Sequence, residues 1–213
     1  MDADRRLPVV SGNEEECEMN TGTESMRFLC VFAFELGRLK RLPRTGWGDA
    51  GVPGPVESVA EHSHRTSLLA FMIAAEEGAD PDRAAALGAW HDVPEVWTGD
   101  TSHARIPYVR TVDPALVIAD QTETLPASLA ERARAAVVEF ERGGESAEAV
   151  VARDADRLEC LLQAREYQRM GASDVGDWIE SSLASLRTAS ALAVARAALE
   201  TEPGAWRSRI RRG

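Results

Sequence analysis

Apolar residues recur at three- and four-residue steps along most of this chain, a spacing typical of α-helices that bury one face. The first such run lies in residues 26–42, where the recurring positions are Phe28, Leu29, Phe32, Leu36 and Leu39. Alanine and arginine, which favour helices, are abundant, whereas β-branched and aromatic residues are sparse. No segment has a convincing strand pattern. The sequence therefore predicts an all-α fold.

Glycine and proline divide the helical pattern into segments. Pro43 ends the first helix, and the loop predicted over residues 44–55 contains four glycines and two prolines. Further helices are predicted over residues 58–77, 83–97, 126–142, 145–170 and 177–201, with an irregular stretch over residues 101–124. We therefore expect a single compact domain of about six or more helices over residues 26–202, with an acidic disordered tail at 1–25 and a basic tail at 203–213.

Charge and hydropathy limit the partners of the chain. Its net charge of −11 argues against general nucleic-acid binding, which depends on lysine and arginine contacts to phosphates. No apolar run approaches the roughly 20 residues that cross a bilayer, and no signal peptide is visible, so no membrane association is expected. Cys17, Cys30 and Cys160 are an odd, widely spaced set. Such a set predicts reduced thiols and a cytoplasmic location.

The densest group of potential metal ligands surrounds one of the four histidines. His91 and Asp92 are adjacent, and Glu95 and Asp100 follow them. On a helix, His91 and Glu95 would be neighbours on one face. Imidazole and carboxylate groups together suit divalent ions such as Mn, Co, Zn, Fe or Mg. A lone His–Asp pair is more often an ion pair at a helix end, so this group alone does not establish a metal site.

A second candidate is His62, in the helix predicted over residues 58–77. The apolar side of that helix is formed by Leu68, Leu69, Met72 and Ile73. His62 lies seven and eleven positions before Leu69 and Ile73, so it points toward the buried side with them. His64 falls nearer the edge of that apolar stripe. A core histidine bonded to a carbonyl would show the same pattern, and the residues alone leave both interpretations open. Two candidate histidine sites, each beside further acids, favour a metal site over two unrelated ion pairs.

A further carboxylate ligand can come from the helix predicted over residues 145–170. Its candidates are Asp154 and Asp156. Periodicity favours Asp154, which lines up with Leu158 and Leu161 on the apolar side. Because a helix buried on most sides has no single inward face, periodicity leaves the choice between the two aspartates open.

Three segments, in this order, resemble the H…HD…D signature of the HD-domain phosphohydrolases: ESVAEHS at 57–63, HDVPEVWTGD at 91–100 and ADRL at 155–158. The chain is most similar to the 5′-deoxynucleotidase branch, which LKRLPRTGW at 39–47 and LQAREY at 162–167 also resemble. The resemblance covers about residues 26–170. It implies a helical HD-type domain and one divalent metal ion held by His62, His91, Asp92 and Asp156. By this resemblance Asp156 is preferred over Asp154.

The same resemblance implies roles for residues beside the metal. Arg44 corresponds to an arginine that contacts phosphate, and Trp47 to a residue beside the sugar. Glu95 and Asp100 correspond to catalytic acids outside the metal shell. The alternative for Arg44 is a solvated loop charge, and the alternative for Trp47 is an ordinary core residue, which is the commoner role of a tryptophan after a glycine-rich turn.

Two segments depart from the pattern of the branch. Residues 48–50, Gly-Asp-Ala, replace a second arginine that usually follows the tryptophan, and TSHAR at 101–105 replaces an apolar or proline-rich turn. Arg105 is a candidate second cation for substrate binding. The alternative is that Arg105 is a solvated loop charge, and the sequence does not favour either.

These assignments predict a metal-dependent phosphohydrolase that removes the 5′-phosphate from nucleoside monophosphates, with deoxy forms preferred. One arginine and one metal suit one phosphate better than three. The alternatives are a specialised biosynthetic phosphatase acting on a modified nucleotide, an HD-type nucleoside triphosphate or cyclic nucleotide hydrolase, and a non-catalytic nucleotide sensor. A homodimer is expected, with a small nucleotide as substrate and neither nucleic acid nor membrane as partner.

Overall fold

The computed structural model describes residues 13–142 and 146–209, and the regular elements within them are helical. The α-helices are α1 (Asn13–Leu36), α2 (Thr45–Asp49), α3 (Val59–Glu77), α4 (Pro81–Trp90), α5 (Glu95–Thr98), α6 (Pro114–Gln121), α7 (Ala127–Glu141), α8 (Ala147–Arg169), α9 (Gly176–Ser185) and α10 (Ala189–Glu200). Short 3-10 helices span Gly37–Arg41, Ile106–Tyr108 and Ala205–Arg209. The predicted all-α class is confirmed. Within the described ranges, no helix is long and apolar enough to cross a membrane.

The N-terminal helix begins earlier than the apolar pattern predicts. α1 starts at Asn13 rather than near residue 26 and ends at Leu36, where the chain tightens into a 3-10 helix. Glutamate, which favours helices, occupies four of the seven positions in residues 13–19. Part of the predicted disordered tail is therefore helical. The rest of that tail, residues 1–12, lies outside the described residues, as do residues 210–213 of the predicted basic tail.

α3 begins and ends where its capping residues predict. The hydroxyl of Ser58 accepts a hydrogen bond from the backbone N–H of Glu61 at 3.2 Å. The carboxylate of Glu61 in turn accepts one from the N–H of Ser58 at 2.7 Å, which completes a capping box. At the other end, Gly78 adopts φ 72°, a left-handed conformation that favours glycine. Both ends of the helix that carries His62 are thereby fixed.

The predicted helix over residues 83–97 is two helices joined by a turn. α4 ends at Trp90, and residues 91–94 form a turn that leads into α5 at Glu95. Pro94 lacks the N–H that would bond to the carbonyl of Trp90, and its ring would crowd that carbonyl. His91 and Asp92 therefore lie at a helix end and turn, where two adjacent side chains can both reach one cleft.

Two other boundaries differ from the prediction. Residues 101–124 are not irregular throughout, because α6 begins at Pro114, with the side chain of Asp113 accepting a bond from the N–H of Ala115. A cap followed by proline is a helix-start signal that the predicted irregular stretch contained. The predicted helix over residues 177–201 is divided into α9 and α10, because Thr188 caps a new helix.

α3 is packed against both α4 and α8. The apolar cluster that joins these helices includes the buried side chains of Leu69, Ile73, Leu87, Leu158 and Leu161. Gly88 of α4 faces α3 so closely that an added Cβ would lie 3.1 Å from the Cα of Ser67. The lack of a side chain at position 88 therefore permits the close approach of the two helices. This packing brings His62, His91 and Asp156 to one cleft.

Candidate functional site

Two histidines and two aspartates from three parts of the chain meet in this cleft. His62 Nε2 lies 3.1 Å from an oxygen of Asp156 and 3.6 Å from an oxygen of Asp92. His91 Nε2 lies 3.0 Å from the same Asp92 oxygen and 4.0 Å from the Asp156 oxygen. The structure thus brings together all four side chains to which the H…HD…D resemblance points.

His62 is fully buried, and a carboxylate holds one of its two ring nitrogens. Nδ1 lies 2.6 Å from Oε2 of Glu159, which itself is fully buried and accepts a hydrogen bond from Nε of Arg65 at 2.9 Å. An ionised carboxylate only accepts, so Nδ1 carries a proton, and in the neutral ring Nε2 keeps its lone pair toward the cleft. Glu159 therefore sets the orientation and tautomer of His62, a role that the sequence did not suggest.

His91 is also oriented by a hydrogen bond from Nδ1, but its acceptor is a backbone carbonyl. Its Nδ1 lies 2.8 Å from the carbonyl oxygen of Gly88, which can only accept, so Nδ1 donates. The Nε2 atoms of His62 and His91 are both buried and lie 3.1 and 3.0 Å from carboxylate oxygens, but among the described residues neither has a partner in hydrogen-bonding geometry. Unpartnered buried ring nitrogens are rare in folded proteins, and neutral imidazole is a common metal ligand. The donor set of two imidazoles and two carboxylates fits a divalent ion.

A positive charge between the carboxylates stabilises the cluster. Burial and Arg44 lower the pKa of His62, but the contacts with Asp156 and Glu159 outweigh them and raise this pKa to about 10. Burial alone would raise the pKa of Asp156, yet contact with His62 holds it well below its usual range. A proton on His62 Nε2 or a divalent ion satisfies the same requirement, because either supplies the positive charge.

Asp154, which periodicity favours, lies outside the cluster. Its fully buried carboxylate accepts hydrogen bonds from the backbone N–H of Arg187 at 2.9 Å and of Thr188 at 2.6 Å. The Thr188 hydroxyl donates a third at 2.8 Å. Asp154 thus holds the start of α10, and Asp156 faces the histidines.

Glu95 begins α5 at the edge of the cluster. Its Oε2 atom is buried and lacks a hydrogen-bond partner among the described residues. Burial, with the nearby charges of Asp92 and Asp100, raises the pKa of Glu95 to about 10. This shift favours the protonated form of the carboxyl group as long as no cation lies between the neighbouring carboxylates. The carboxyl group can exchange that proton with a group that enters the cleft.

Arg44 and Asp100 form a second polar group beside the cluster. Arg44 Nη1 donates to Asp100 Oδ1 at 3.0 Å, and the backbone N–H and hydroxyl of Thr45 both donate to Asp100 Oδ2 at 2.6 Å. Gly99 enters this turn with φ 76° and ψ 157°, a conformation essentially restricted to glycine. Both carboxylate oxygens of Asp100 therefore accept hydrogen bonds. Through its bond to Nη1, Asp100 holds the Arg44 guanidinium so that it faces Asp92.

Trp47 does not line the cleft. Only 1% of its surface is exposed, and its ring packs against Tyr167 and Trp178 at centroid distances of 5.2 and 4.6 Å. Its Nε1 donates to an oxygen of Glu57 at 2.7 Å. In this structure Trp47 has the core role that its local sequence suggested, rather than an open face beside a sugar.

Arg105 lies at the surface and pairs with Asp49, which belongs to the other segment that differs from the 5′-deoxynucleotidase pattern. Its side chain is 53% exposed, and its Nε and Nη2 donate to the two oxygens of Asp49 at 3.1 and 2.5 Å. The hydroxyl of Ser102 donates to Asp49 Oδ2 at 2.5 Å. The structure therefore ties residues 101–105 to residues 48–50 and leaves Arg105 already paired.

Comparison with known proteins agrees with the helical fold. The model of the HD domain family matches residues 36–194. The 5′-deoxynucleotidase HDDC2 of Homo sapiens is 35% identical over 146 residues, which cover 67% of this chain and 69% of that protein. The 5′-deoxynucleotidase hdd1 of Schizosaccharomyces pombe is 34% identical over 140 residues, or 63% and 69% of the two chains. The chain belongs to the HD domain family.

Solved structures share the same helical arrangement. A protein of Pyrococcus horikoshii aligns over 79% of this chain and 97% of its own, with 25% identity and a TM-score of 0.63. A protein of Magnetospirillum magnetotacticum described as a predicted metal-dependent phosphohydrolase aligns over 83% and 94%, with 24% identity and a TM-score of 0.61. The second likeness supports the fold alone.

Proposed function

We propose that this protein is a metal-dependent phosphohydrolase that removes the 5′-phosphate from nucleoside monophosphates, with deoxy forms preferred. The observation that carries the proposal is the meeting of two unpartnered buried imidazole nitrogens, two carboxylates and a fixed arginine in one cleft. Relatives named 5′-deoxynucleotidases, about one-third identical over two thirds of their length, point to the same reaction.

One divalent ion is proposed to bind to His62, His91, Asp92 and Asp156. When bound, such an ion acts as a Lewis acid toward phosphoryl oxygens and makes a water molecule more acidic. The chain prepares this site by holding Nδ1 of each histidine, so that Nε2 faces inward without reorganisation. The nitrogen and oxygen donors are compatible with Co, Mn, Mg, Zn or Fe, and elemental analysis of the purified protein identifies the ion.

The catalytic acids are proposed to be Glu95 and Asp100. The unpartnered Oε2 of Glu95 is buried beside Asp92. A divalent ion bound between the carboxylates would favour the ionised form of Glu95, which can then orient the attacking water and accept its proton. Asp100 holds Arg44 in place and assists proton transfer or binds a sugar hydroxyl once substrate displaces one of its present partners. Neither carboxylate is needed to complete the proposed metal shell.

Arg44 is proposed to bind the phosphate. Its guanidinium is a planar group that can hold two phosphoryl oxygens at once, and Asp100 fixes its direction. In-line attack requires such a fixed phosphoryl group. Trp47 is proposed to support the sugar subsite, and its burial favours an indirect effect through the packing of the 44–50 segment.

A phosphate-release assay tests the reaction. We compare matched deoxyribonucleoside and ribonucleoside 5′-monophosphates, 3′-monophosphates and 5′-triphosphates on the metal-loaded protein. The expected result is turnover of 5′-monophosphates, faster for deoxy forms, with little release from 3′-phosphates. Faster turnover of triphosphates, or no release from any 5′-monophosphate, would overturn the proposal.

A specialised biosynthetic phosphatase for a modified nucleotide is the second candidate. The contact of Asp49 with Arg105 and Ser102 favours it, because it joins the two segments that depart from the branch. In that case Arg105 binds the added group of the substrate. Slow turnover of all common monophosphates, combined with efficient turnover of one modified nucleotide, distinguishes this candidate.

A cytoplasmic homodimer is also proposed. Large apolar side chains at the surface, including those of Phe34, Tyr108 and Leu116, support association. The free thiols of Cys30 and Cys160 support a reducing compartment. Light scattering on the purified protein tests the dimer, and cell fractionation tests the location.

A further inference from the structure

Cys160 occupies the floor of the proposed metal cleft. It follows Asp156 by one helical turn on α8, so the two side chains share a face. Its Sγ, a carboxylate oxygen of Asp156 and a ring nitrogen of His62 all lie within 4.8 Å of one another. Sγ also accepts a hydrogen bond from Nη2 of Arg44 at 3.6 Å. The sulfur therefore borders the ligand cluster on one side and the arginine on the other.

The surroundings of this thiol differ from those of an ordinary core cysteine. A buried free cysteine usually behaves as a small apolar group among apolar neighbours. Here the neighbours of Sγ are a guanidinium, a carboxylate and an imidazole. Independently of the sulfur, Nε2 of His62 is fully buried, has no hydrogen-bond partner among the described residues and belongs to the same cluster. An unpartnered nitrogen beside the sulfur points to a shared ligand.

We propose that Cys160 supplies a thiolate ligand to the divalent ion, in addition to the two histidines and two aspartates. The inference rests on the metal site of the proposed function. Binding of sulfur to the ion replaces the S–H bond, and the proton passes to solvent. The guanidinium of Arg44 stays beside the anionic sulfur and offsets part of its charge.

A thiolate changes which metals the site prefers. Nitrogen and oxygen ligands alone accept hard ions such as Mg²⁺ and Mn²⁺, whereas a sulfur ligand favours borderline ions such as Co²⁺ and Zn²⁺. The position of Cys160 therefore predicts a site that selects Co²⁺ or Zn²⁺ over Mg²⁺. Replacing the sulfur with a hydroxyl should weaken the binding of Zn²⁺ much more than that of Mg²⁺.

Cobalt spectroscopy on the full chain tests the inference. We titrate Co²⁺ into metal-stripped wild-type protein, Cys160→Ser and Cys160→Ala, with Cys30→Ser and Cys17→Ser as matched cysteine controls. Visible d–d bands report cobalt in the site, and a near-ultraviolet sulfur-to-cobalt charge-transfer band reports the thiolate. We expect both signals in the wild type and in the two controls. Both Cys160 variants should keep the visible bands and lose the charge-transfer band.

The possible failures are distinguishable. Visible bands without a charge-transfer band in the wild type would overturn the thiolate ligand and leave the proposed metal site intact. Retention of the charge-transfer band in Cys160→Ser would also overturn it. No cobalt bound by elemental analysis would overturn the metal site itself. Competition between Zn²⁺ and Mg²⁺ gives a second readout: an unchanged ratio of the two affinities in Cys160→Ala contradicts the inference. Thermal melting in chelator verifies that each variant is folded.

Discussion

Replacing Asp154 and Asp156 separately should have opposite consequences for stability and metal content. The two aspartates are two residues apart on α8 and chemically identical, so each variant is the matched control of the other. Asp154→Ala removes the acceptor of three hydrogen bonds from Arg187 and Thr188 at the start of α10. Asp156→Ala removes a carboxylate 3.1 Å from Nε2 of His62.

The loss in Asp154→Ala can be estimated from these bonds. Hydrogen bonds to a charged acceptor contribute about 1.5–3 kcal/mol each. Arg187 is exposed, so water replaces part of what the carboxylate provided. We therefore expect the free energy of unfolding to fall by about 2–4 kcal/mol, in line with the loss of a helix cap plus a further bond. For a chain of this size that corresponds to a melting temperature lower by roughly 4–16 °C.

Asp156→Ala should leave the metal-free protein closer to wild-type stability. His62 still has Glu159 as a counter-charge, and Arg44 still has Asp100. The variant should instead lose the tightly bound ion and, with it, the stabilisation that a bound ligand gives to the folded state.

The assay measures metal content and melting separately. Elemental analysis gives the metal per chain, and melting with excess chelator removes the contribution of the ion from the comparison. A wild-type melting temperature in Asp154→Ala would refute the estimate made from its three hydrogen bonds. Full metal content in Asp156→Ala, with loss in Asp154→Ala, would refute the assignment of the two aspartates.

Four further variants test other parts of the site. Glu95→Gln should keep the ion and lose activity by roughly 10²-fold or more, measured as kcat beside metal content; wild-type turnover would remove Glu95 from the mechanism. Arg44→Ala should lower kcat/KM for every 5′-monophosphate by a similar factor. A loss confined to one base would contradict a phosphate contact. Glu159→Gln should weaken metal binding by roughly 10–100-fold in chelator competition, whereas Glu166→Gln, which alters Arg65 without touching His62, should not. Gly99→Ala should lower stability by about 1–3 kcal/mol in urea titration, because alanine is strained at φ 76°; no loss would show that the turn relaxes.

The ends of α3 and the direction of His62 were predictable because their signals are local. Ser58, Glu61 and Gly78 act through bonds and dihedral angles within a few residues of the helix ends. His62 shares its face with Leu69 and Ile73, and all three are buried as periodicity predicts. The prediction was wrong for Leu68 and Met72, which are exposed, because apolar residues lie on both sides of α3 and do not by themselves define its inward side.

Periodicity failed for α8 because that helix is covered on several sides. α8 contacts α3, α4, α9 and α10, and both its apolar residues and its carboxylates are buried. Asp154 is buried, as its spacing with Leu158 predicts. Its carboxylate, however, faces the start of α10 and not the histidines. Only the resemblance to the HD-domain family favoured Asp156.

Glu159 and Cys160 were missed although a usable signal existed. They follow Asp156 by three and four residues, the spacings that share a helix face. Once Asp156 is taken as a ligand, the next turn of α8 must also face the cleft. A glutamate three residues further on then becomes a candidate partner for a ligand histidine, and a cysteine four residues further on a candidate ligand.

The two segments that depart from the 5′-deoxynucleotidase pattern act on each other, which local sequence could not reveal. Asp49, in the segment that lacks the second arginine, accepts hydrogen bonds from Ser102 and Arg105 of the other segment. The arginine missing from residues 48–50 is thus matched by a cation that reaches Asp49 from residues 101–105. Because Asp49 is ionised and the pair is largely exposed, water and salt screen the attraction, and its contribution to folding is small. An effect of this pair on substrate choice is what the second proposed function expects.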